Sequence, residues 1–206
     1  YSVRLSVSSN VSVRITLPGG YQTQAAPCGR RASIDFETWN LVLHQLIPLL
    51  SRAGITPDIF PIFLFLNVAI DAGDAGLLAG YHSWTNAGGV QTYGVAMYDT
   101  TQSLPSSQDV SVLAREIAEW LDDPLANNPT PPWGHLGQVD GCQANLEVGD
   151  PLAGSPLFEV EMPNGFTYHL PETAFFSWFY NQVPSLGING WYSSGGSFTE
   201  PADLCR

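Results

Sequence analysis

The sequence contains no lysine, and its seven basic residues are all arginine, against nineteen acidic residues. Nucleic acids and anionic membranes both bind basic surfaces, so the formal net charge of −12 argues against either as a partner. Charged residues make up only 13% of the chain, which also contains 20 glycines and 16 prolines. This composition is typical of the weakly charged, loop-rich surface of an extracellular protein.

Long apolar runs are also missing. The longest candidate, Ile59 to Ile70, has about a dozen residues and is interrupted by Pro61 and Asn67, whereas a membrane helix needs about 20. We therefore expect no membrane span and predict that this run is a core strand buried on both faces. The sequence does not open with a basic and apolar leader, so for a secreted protein we expect Tyr1 to be a mature or fragment end.

Cysteine is scarce, and three residues allow one disulfide in any of three pairings. We predict a bond between Cys142 and Cys205, because both lie in loop sequence punctuated by glycine or proline. The bond would tie the C-terminal tail to the loop that follows the central helix. Cys28, close to two arginines, would then be the unpaired cysteine. The alternative is that all three cysteines are reduced.

The central helix is the strongest functional signal in the chain. Residues from Ser111 onward have apolar side chains at helical spacing, and Pro124 should end the helix. Three residues that precede it could accept hydrogen bonds from its first backbone N–H groups. The predicted apolar stripe is Val112, Ile117, Trp120 and Leu121, and the candidate caps are Ser106, Ser107 and Asp109.

The charged residues of this helix lie on or beside its other face. Arg115 and Glu119 are four residues apart and therefore one turn apart, with Glu116 beside them. In an H-E-x-x-H zincin helix the first and fifth positions bind zinc, and the second residue is the general base. The string R-E-I-A-E makes Glu119 a candidate ligand and Glu116 a candidate base. Arg115 has no lone pair to offer a cation.

The remaining segments provide the frame around this helix. Alternation and turn residues predict hairpins, and apolar spacing predicts two further helices. We predict a hairpin over 2–16 with a glycosylation sequon at Asn10, a loop over 18–31, a helix over 34–52, a hairpin of strands 77–84 and 91–98, an irregular segment over 127–134, a hairpin of 158–162 and 166–169, and an aromatic helix over 171–181.

Several strings around the helix carry a family resemblance. They are G-Y-H-S at 80–83, Q-T-Y-G-V-A at 91–96, G-C-Q-A-N-L-E-V-G-D-P-L at 141–152, T-Y-H-L at 167–170 and F-F-S-W-F at 175–179. With the helix, they resemble a group of secreted bacterial zincin-like proteins of the H-E-I-A-E-W type, which look like metallopeptidases. The match covers roughly residues 58–206, and the string around Glu147 is its most specific part.

The resemblance implies a set of site residues. The helix histidine and the second glutamate of that group are expected to bind zinc, with the glutamate between them as base and a downstream carboxylate as third ligand. In this chain, these positions are Arg115, Glu119, Glu116 and either Glu147 or Asp150. Arginine removes a neutral nitrogen ligand and adds a positive charge, so we expect tight zinc binding and catalysis to be lost.

Arg115 has two alternative roles. A guanidinium between Glu119 and Glu147 could replace the metal through bidentate hydrogen bonds. Arg115 could instead be a solvated residue that pairs with Glu119, worth about 0.3–0.5 kcal/mol. No cofactor is expected in either case; zinc belongs to the group resembled, and calcium is the other ion considered, at the Asp71 to Asp74 turn.

Histidines elsewhere could form a rearranged site. His82 on a strand, His135 on a loop and His169 beside Tyr168 are candidate binding residues, and ordinary structural use is the alternative for each. The Tyr168 and His169 pair could stabilise an oxyanion in an active relative. His44, within the first helix, is expected to be structural.

Together these features predict an α+β, zincin-like fold in one domain over 1–206. It comprises a hairpin and loop (1–31), a mixed or antiparallel sheet with the motif helix (32–124) and a loop-rich aromatic C-terminal lobe (125–206). The predicted function is that of a secreted, metallopeptidase-like protein that has lost catalysis and acts as a binding or structural module, with an extracellular protein or glycan as partner. One alternative is an active metal-dependent peptidase with an atypical ligand set. The other is an extracellular structural subunit that self-associates.

Overall fold

The computed structural model describes residues 16–86, 88–104, 107–203 and 205, and over these ranges the fold is α+β, as predicted. The predicted hairpin over 2–16, the Asn10 sequon and the candidate cap Ser106 lie outside the described residues. The strands are β1 (Tyr21–Ala26), β2 (Gly29–Asp35), β3 (Ile62–Leu66), β4 (Val68–Asp71), β5 (Leu77–Leu78), β6 (Gly80–Asn86), β7 (Val90–Tyr98), β8 (Pro129–Gly134), β9 (Cys142–Asn145), β10 (Phe158–Glu161) and β11 (Thr167–Leu170), and the helices are α1 (Phe36–Arg52), α2 (Ser111–Asp122) and α3 (Phe176–Phe179).

A three-stranded sheet in the order β3-β7-β6 supports the two long helices. β3 is parallel to β7 and β6 is antiparallel to it, so the predicted mixed sheet is confirmed. Side chains alternate between the two faces of β7. Tyr93 and Val95 face the apolar cluster that contains Trp39 of α1, whereas Thr92 faces α2 and accepts a hydrogen bond from Trp120. His82 is paired with Gly94 and therefore also faces α2.

Helix α1 covers the first of these faces. Asp35 caps its N-terminus by accepting a hydrogen bond from the Thr38 backbone N–H at 2.9 Å. The helix runs through Pro48 and ends before Gly54, whose φ of +90° is typical of a helix terminus. Trp39 then packs edge-on against Phe63 and Phe65 of β3.

The loop predicted over residues 18–31 is instead a hairpin of β1 and β2, with Ala26 opposite Gly29. Most side chains of β1 are exposed, so its sequence Y-Q-T-Q-A-A has no apolar alternation to reveal a strand. β2 also pairs with β4, which adds this hairpin to a second sheet in the order β1-β2-β4-β5.

The prediction of a single buried strand from Ile59 to Ile70 was wrong. Asn67 has a positive φ of 58° and separates β3 from β4, which belong to different sheets. Its side chain stabilises the bend by accepting from the Thr100 backbone N–H at 2.7 Å. Leu64 and Leu66 on the outer face of β3 are 54% and 66% exposed, whereas Phe63 and Phe65 on the other face are half-buried, so β3 is covered on one face only.

The predicted hairpin of strands 77–84 and 91–98 is confirmed for β6 and β7, but its first strand is also divided. β5 pairs with β4, whereas β6 pairs with β7, and the chain changes sheet at Ala79. The turn predicted at Asp71 to Gly76 is confirmed and contains a short 3₁₀ turn over Gly73–Ala75.

The orientation of α2 differs from its predicted orientation. Its buried residues are Ser111, Val112, Glu116 and Glu119, while Ile117, Trp120 and Leu121 are only half-buried. The helix lies on β6 and β7, and the segment around residues 138–150 covers its charged face. Of the two predicted N-caps that the structure describes, neither Ser107 nor Asp109 is the N-cap residue. That residue is Val110, which makes no side-chain cap hydrogen bond, and Asp109 bonds to His169.

The C-terminal half forms a second apolar cluster around Trp133, Trp178 and Phe179. Residues predicted to be irregular form strand β8, which pairs with β9 through an irregular register between Pro129 and Trp133. That irregularity accommodates prolines, which have no N–H to donate. The β10-β11 hairpin is confirmed.

Helix α3 is shorter than the predicted helix over 171–181. Ala174 is extended, donates a hydrogen bond to the Val148 carbonyl at 2.8 Å and bridges Ser193. The backbone before Phe176 therefore pairs with other segments and is not available for helical hydrogen bonds.

The predicted disulfide between Cys142 and Cys205 is confirmed, with a Cα–Cα distance of 5.8 Å. Cys28 is a free, exposed cysteine. Among the described residues, no helix has the length and apolar character required to cross a membrane.

Replacing both Cys142 and Cys205 by serine is expected to lower the free energy of unfolding by about 2–5 kcal/mol. The cysteines are 63 residues apart, so their bond restricts a long loop of the unfolded chain. Urea unfolding under non-reducing conditions would measure the change. Cys28→Ser is the matched control and is expected to change stability by less than about 0.5 kcal/mol. An equal effect of both replacements would contradict the prediction.

Candidate functional site

Buried carboxylates meet where α2 contacts the C-terminal half of the chain. Glu116 and Glu119 of α2 are 2% and 3% exposed, and Glu147 and Asp150, which follow β9, are 8% and 7% exposed. The two glutamates of the helix motif and the two downstream candidates thus lie in one region. Since a buried charge is costly unless it is paired or hydrogen-bonded, the partners of each group determine its role.

Arg115 is bonded to two of these carboxylates. Its Nη2 lies 2.8 Å from Glu116 Oε1 and its Nη1 lies 3.3 Å from Asp150 Oδ1. Nη1 also donates to Gln138 Oε1 at 2.8 Å, and the Gln138 amide donates to Asp150. Arg115 therefore bridges carboxylates, as one of the two sequence alternatives proposed, but its partners are Glu116 and Asp150 and not Glu119 and Glu147.

His82 approaches the same region from β6. Its Nε2 lies 2.9 Å from the backbone carbonyl oxygen of Asp123. A carbonyl oxygen only accepts, so Nε2 carries the proton and a neutral ring has its lone pair on Nδ1. Nδ1 lies 3.7 Å from Glu116 Oε2. The Asp123 side chain accepts from the backbone N–H groups of Asn127 and Asn128, at 2.9 and 2.8 Å.

His82, Glu119 and Glu147 converge. Each offers one ligand atom, and the three atoms lie within 4.8 Å of one another. The Gly149 backbone N–H donates to Glu119 Oε1 at 3.1 Å, and the Asn145 amide donates to Glu147 Oε1 at 2.9 Å. These bonds fix both carboxylates and leave each with further lone pairs. The arrangement is chemically suited to a cation.

Gly149 allows the loop after β9 to lie close to helix α2. A Cβ at this position would lie 2.4 Å from Arg115 Cγ and 2.8 Å from Glu119 Oε1. No side chain fits there without moving the helix residues.

The pKa shifts of the cluster reflect burial first and the neighbouring charges second. Burial raises the pKa of Glu119 well above its ordinary value, and nearby carboxylates act in the same direction, whereas Arg115 acts to lower it. Burial and nearby carboxylates raise the pKa of Glu147 to about 7, although His82 acts to lower it. Burial also raises the pKa of Asp150. For His82, burial lowers the pKa, but the interactions with Glu116 and Glu147 outweigh it and the net shift is upward. The cluster therefore favours an added positive charge.

The remaining predicted binding residues make other contacts. His169 Nδ1 lies 2.7 Å from Asp109 Oδ2, and the Tyr168 hydroxyl accepts from Asn164 at 3.2 Å. The His135 ring lies close to both disulfide sulfurs, but sulfurs bonded to each other are not thiolate ligands. His44 is exposed on α1. At the turn considered for calcium, Asp71 Oδ1 accepts from the Gly73 N–H at 3.0 Å, an ordinary turn contact.

A cavity of about 180 Å³ lies beside the cluster. Arg115, Gln138 and Gly149 line it, together with Gly80 and Glu172. Among the described residues that line this cavity, none is His82, Glu116, Glu119 or Glu147. Its volume is below the roughly 300–1,000 Å³ of typical small-molecule sites.

Sequence reasoning missed Gln138 and the role of Asp123. Gln138 has no spacing signal, because it reaches Arg115 from a loop 23 residues away. Asp123 could have been noticed in the D-D-P string that ends α2. His82 was a candidate, and the alternation of β6 would have shown that it faces α2.

Comparison of the chain with protein-family models, with curated proteins and with solved structures finds no match. The resemblance to secreted zincin-like proteins therefore stays a hypothesis carried by the strings themselves.

Arg115→Ala is expected to lower the free energy of unfolding at pH 7 by about 3–5 kcal/mol, because it leaves the buried Glu116 and Asp150 without their cation. Urea unfolding would measure the loss. Adding Glu116→Gln to this variant should recover part of it by removing one unpaired charge. Arg52→Ala, at the exposed end of α1, is the control and should cost less than about 0.5 kcal/mol. A loss no larger than that of the control would contradict the ionic role of Arg115.

With a chelator present to remove any bound metal, the protein is expected to become less stable as the pH rises from 5 to 8. A carboxyl group whose pKa is higher in the folded state stabilises the fold while it is protonated there. For Glu147 this stabilisation is complete below its ordinary pKa of 4.5 and is lost as the pH passes through about 7. The loss is on the order of 3 kcal/mol, at about 1.4 kcal/mol for each pKa unit.

The raised pKa values of Glu119, Asp150 and His82 act in the same direction. The lowered pKa values of Asp109 and Glu172 affect stability only at more acidic pH. Thermal unfolding across this pH range would measure the effect, and Glu147→Gln should flatten the profile. Stability that increases from pH 5 to 8 would contradict the prediction.

Proposed function

We propose that this protein is a secreted, zincin-like relative of metallopeptidases that does not hydrolyse peptides and acts as an extracellular binding or structural module. The packing of α2 on a mixed sheet supports the zincin-like assignment, because the R-E-x-x-E face lies next to a downstream carboxylate pair. The disulfide supports an extracellular location, since such bonds persist in oxidising compartments.

The observation that carries the proposal is the bond between Arg115 and Glu116. The guanidinium stands at the motif position of a metal ligand and lies 2.8 Å from Glu116, the candidate base. A general base must be within hydrogen-bond reach of the water that it deprotonates, and Glu116 Oε1 already accepts a hydrogen bond from the Arg115 guanidinium. Glu116 is also only 2% exposed, which leaves little room for water and substrate beside it.

The shape of the region supports the same proposal. The adjacent cavity is small, and Arg115 lines it while the converging His82, Glu119 and Glu147 do not. A peptidase needs a groove that presents the scissile bond to its metal and base. The geometry therefore favours an internal ionic structure over a substrate site.

One observation favours a second candidate, an active metal-dependent peptidase with an atypical ligand set. His82 supplies the nitrogen donor that Arg115 cannot, and it converges with Glu119 and Glu147. In this alternative Glu116, close to His82 Nδ1, is the base.

Peptidase assays distinguish the two candidates. The purified protein is expected to leave casein and a mixed peptide library uncleaved at pH 7.5, with and without added zinc, because Glu116 is held by Arg115. Glu116→Gln is the matched control and should give the same background. Cleavage that disappears both in Glu116→Gln and on addition of a chelator would overturn the proposal and establish the second candidate.

A further inference from the structure

We propose that His82, Glu119 and Glu147 bind a divalent transition-metal ion, with zinc as the best fit, and that this ion is a structural clamp between the two halves of the fold. The inference goes beyond the proposed function, because binding does not depend on whether any peptide is cleaved. It also differs from the arrangement implied by the family resemblance. Zinc does not fit a site with Arg115 as a ligand, because a guanidinium has no lone pair to donate.

The first argument concerns charge. Arg115 is paired with Glu116 and Asp150, and among the described residues no guanidinium is bonded to the other two buried carboxylates, Glu119 and Glu147. His82 lies next to these two carboxylates and is itself only 8% exposed. A divalent ion would bring two positive charges to this pair of buried carboxyl groups. It would also satisfy lone pairs that the bonds from Gly149 and Asn145 leave available.

The second argument is independent of charge and concerns the orientation of His82. Histidines that bind metals usually donate their other ring N–H to a carbonyl or carboxylate, which fixes both the tautomer and the ring direction. His82 Nε2 makes this bond with the Asp123 carbonyl at 2.9 Å. The backbone N–H groups of Asn127 and Asn128 hold the Asp123 side chain, so this turn is itself well defined. Nδ1 is thereby directed to the carboxylate side.

The donor set indicates the kind of ion. One imidazole and two carboxylates suit zinc and its transition-metal neighbours, whereas calcium takes about six to eight oxygen ligands. Zinc bonds of about 2.0–2.2 Å place tetrahedral ligands about 3.4 Å apart. The three donor atoms already lie within 4.8 Å of one another, so small side-chain rotations would close the site.

The position of the ligands gives the ion its role. His82 belongs to β6 and Glu119 to α2, which lie on the central sheet, whereas Glu147 lies between Leu146 and Val148 of the second apolar cluster. An ion held by all three would join the sheet and its helix to the C-terminal cluster. This differs from the disulfide, which joins two parts of the C-terminal half.

The test uses the full chain, stripped with chelator, dialysed and kept under non-reducing conditions. Calorimetric titration with zinc chloride is expected to give about one ion per chain, and zinc should raise the melting temperature while the same concentration of calcium should not. Cobalt chloride should give a visible absorption spectrum of nitrogen and oxygen ligation without sulfur. His82→Ala and Glu147→Gln should each weaken zinc binding by more than about 100-fold, beyond the 10–100-fold loss typical of supporting residues.

His135→Ala is the matched control, because His135 lies near the two disulfide sulfurs and should leave binding unchanged. Glu147→Gln preserves side-chain shape and carries the test if His82→Ala does not fold, with circular dichroism as the check. The proposal is overturned if the wild type binds no zinc, if the folded variants bind like the wild type, or if His135→Ala removes the site. Absence of zinc binding would leave the proposed non-catalytic function intact, and peptide cleavage would not affect the metal site.

Discussion

The burial of acidic side chains against the Arg115 guanidinium is the constraint on which the centre of this protein depends. Helix α2 places Glu116 and Glu119 on its buried face, and the C-terminal segment adds Glu147 and Asp150. Arg115 neutralises only part of this charge, since its short contacts are with Glu116 and Asp150. Neighbouring groups supply hydrogen bonds to the carboxylates and to Arg115. Gln138 completes the arginine bridge, and Gly149 and Asn145 donate to the remaining carboxylates.

This constraint explains why α2 could be predicted as an element but not in its orientation. Its limits follow from local spacing and from Pro124, which the sequence displays. Which face of α2 is buried does not follow from local spacing, because an apolar stripe normally packs inward and an acidic face normally faces water. Here the loop at Gly149 approaches so closely that a Cβ would clash with Arg115 and Glu119. Tertiary contacts of this kind have no local signal.

The same distinction between local and distant information applies to the rest of the fold. The β6-β7 hairpin, the β10-β11 hairpin and the end of α1 before Gly54 follow from turn residues, and all were predictable. The change of sheet at Asn67 was not, because it depends on bonds to Thr100, 33 residues away. The strand at β8 was missed because prolines argue against strands, and the irregular register that accommodates them is visible only in three dimensions. For the site, the sequence provided Glu116, Glu119 and Glu147 as candidates, and the alternation of β6 was the signal that could have favoured His82 among the histidines.

The sequence separation of the ionic contacts has a consequence for the order in which the chain acquires its structure during synthesis. Arg115 meets Gln138, Gly149 meets Glu119, and Asp150 meets Arg115 across 23, 30 and 35 residues, always towards the C-terminus. When α2 has just been made, the segment that will cover its acidic face does not yet exist. The acidic face of the helix can therefore remain hydrated while the chain is still on the ribosome. The cost of desolvating the carboxylates arises only when the downstream segment packs against them. In this chain the burial of these carboxylates is thus deferred until residues 138–150 have been synthesised.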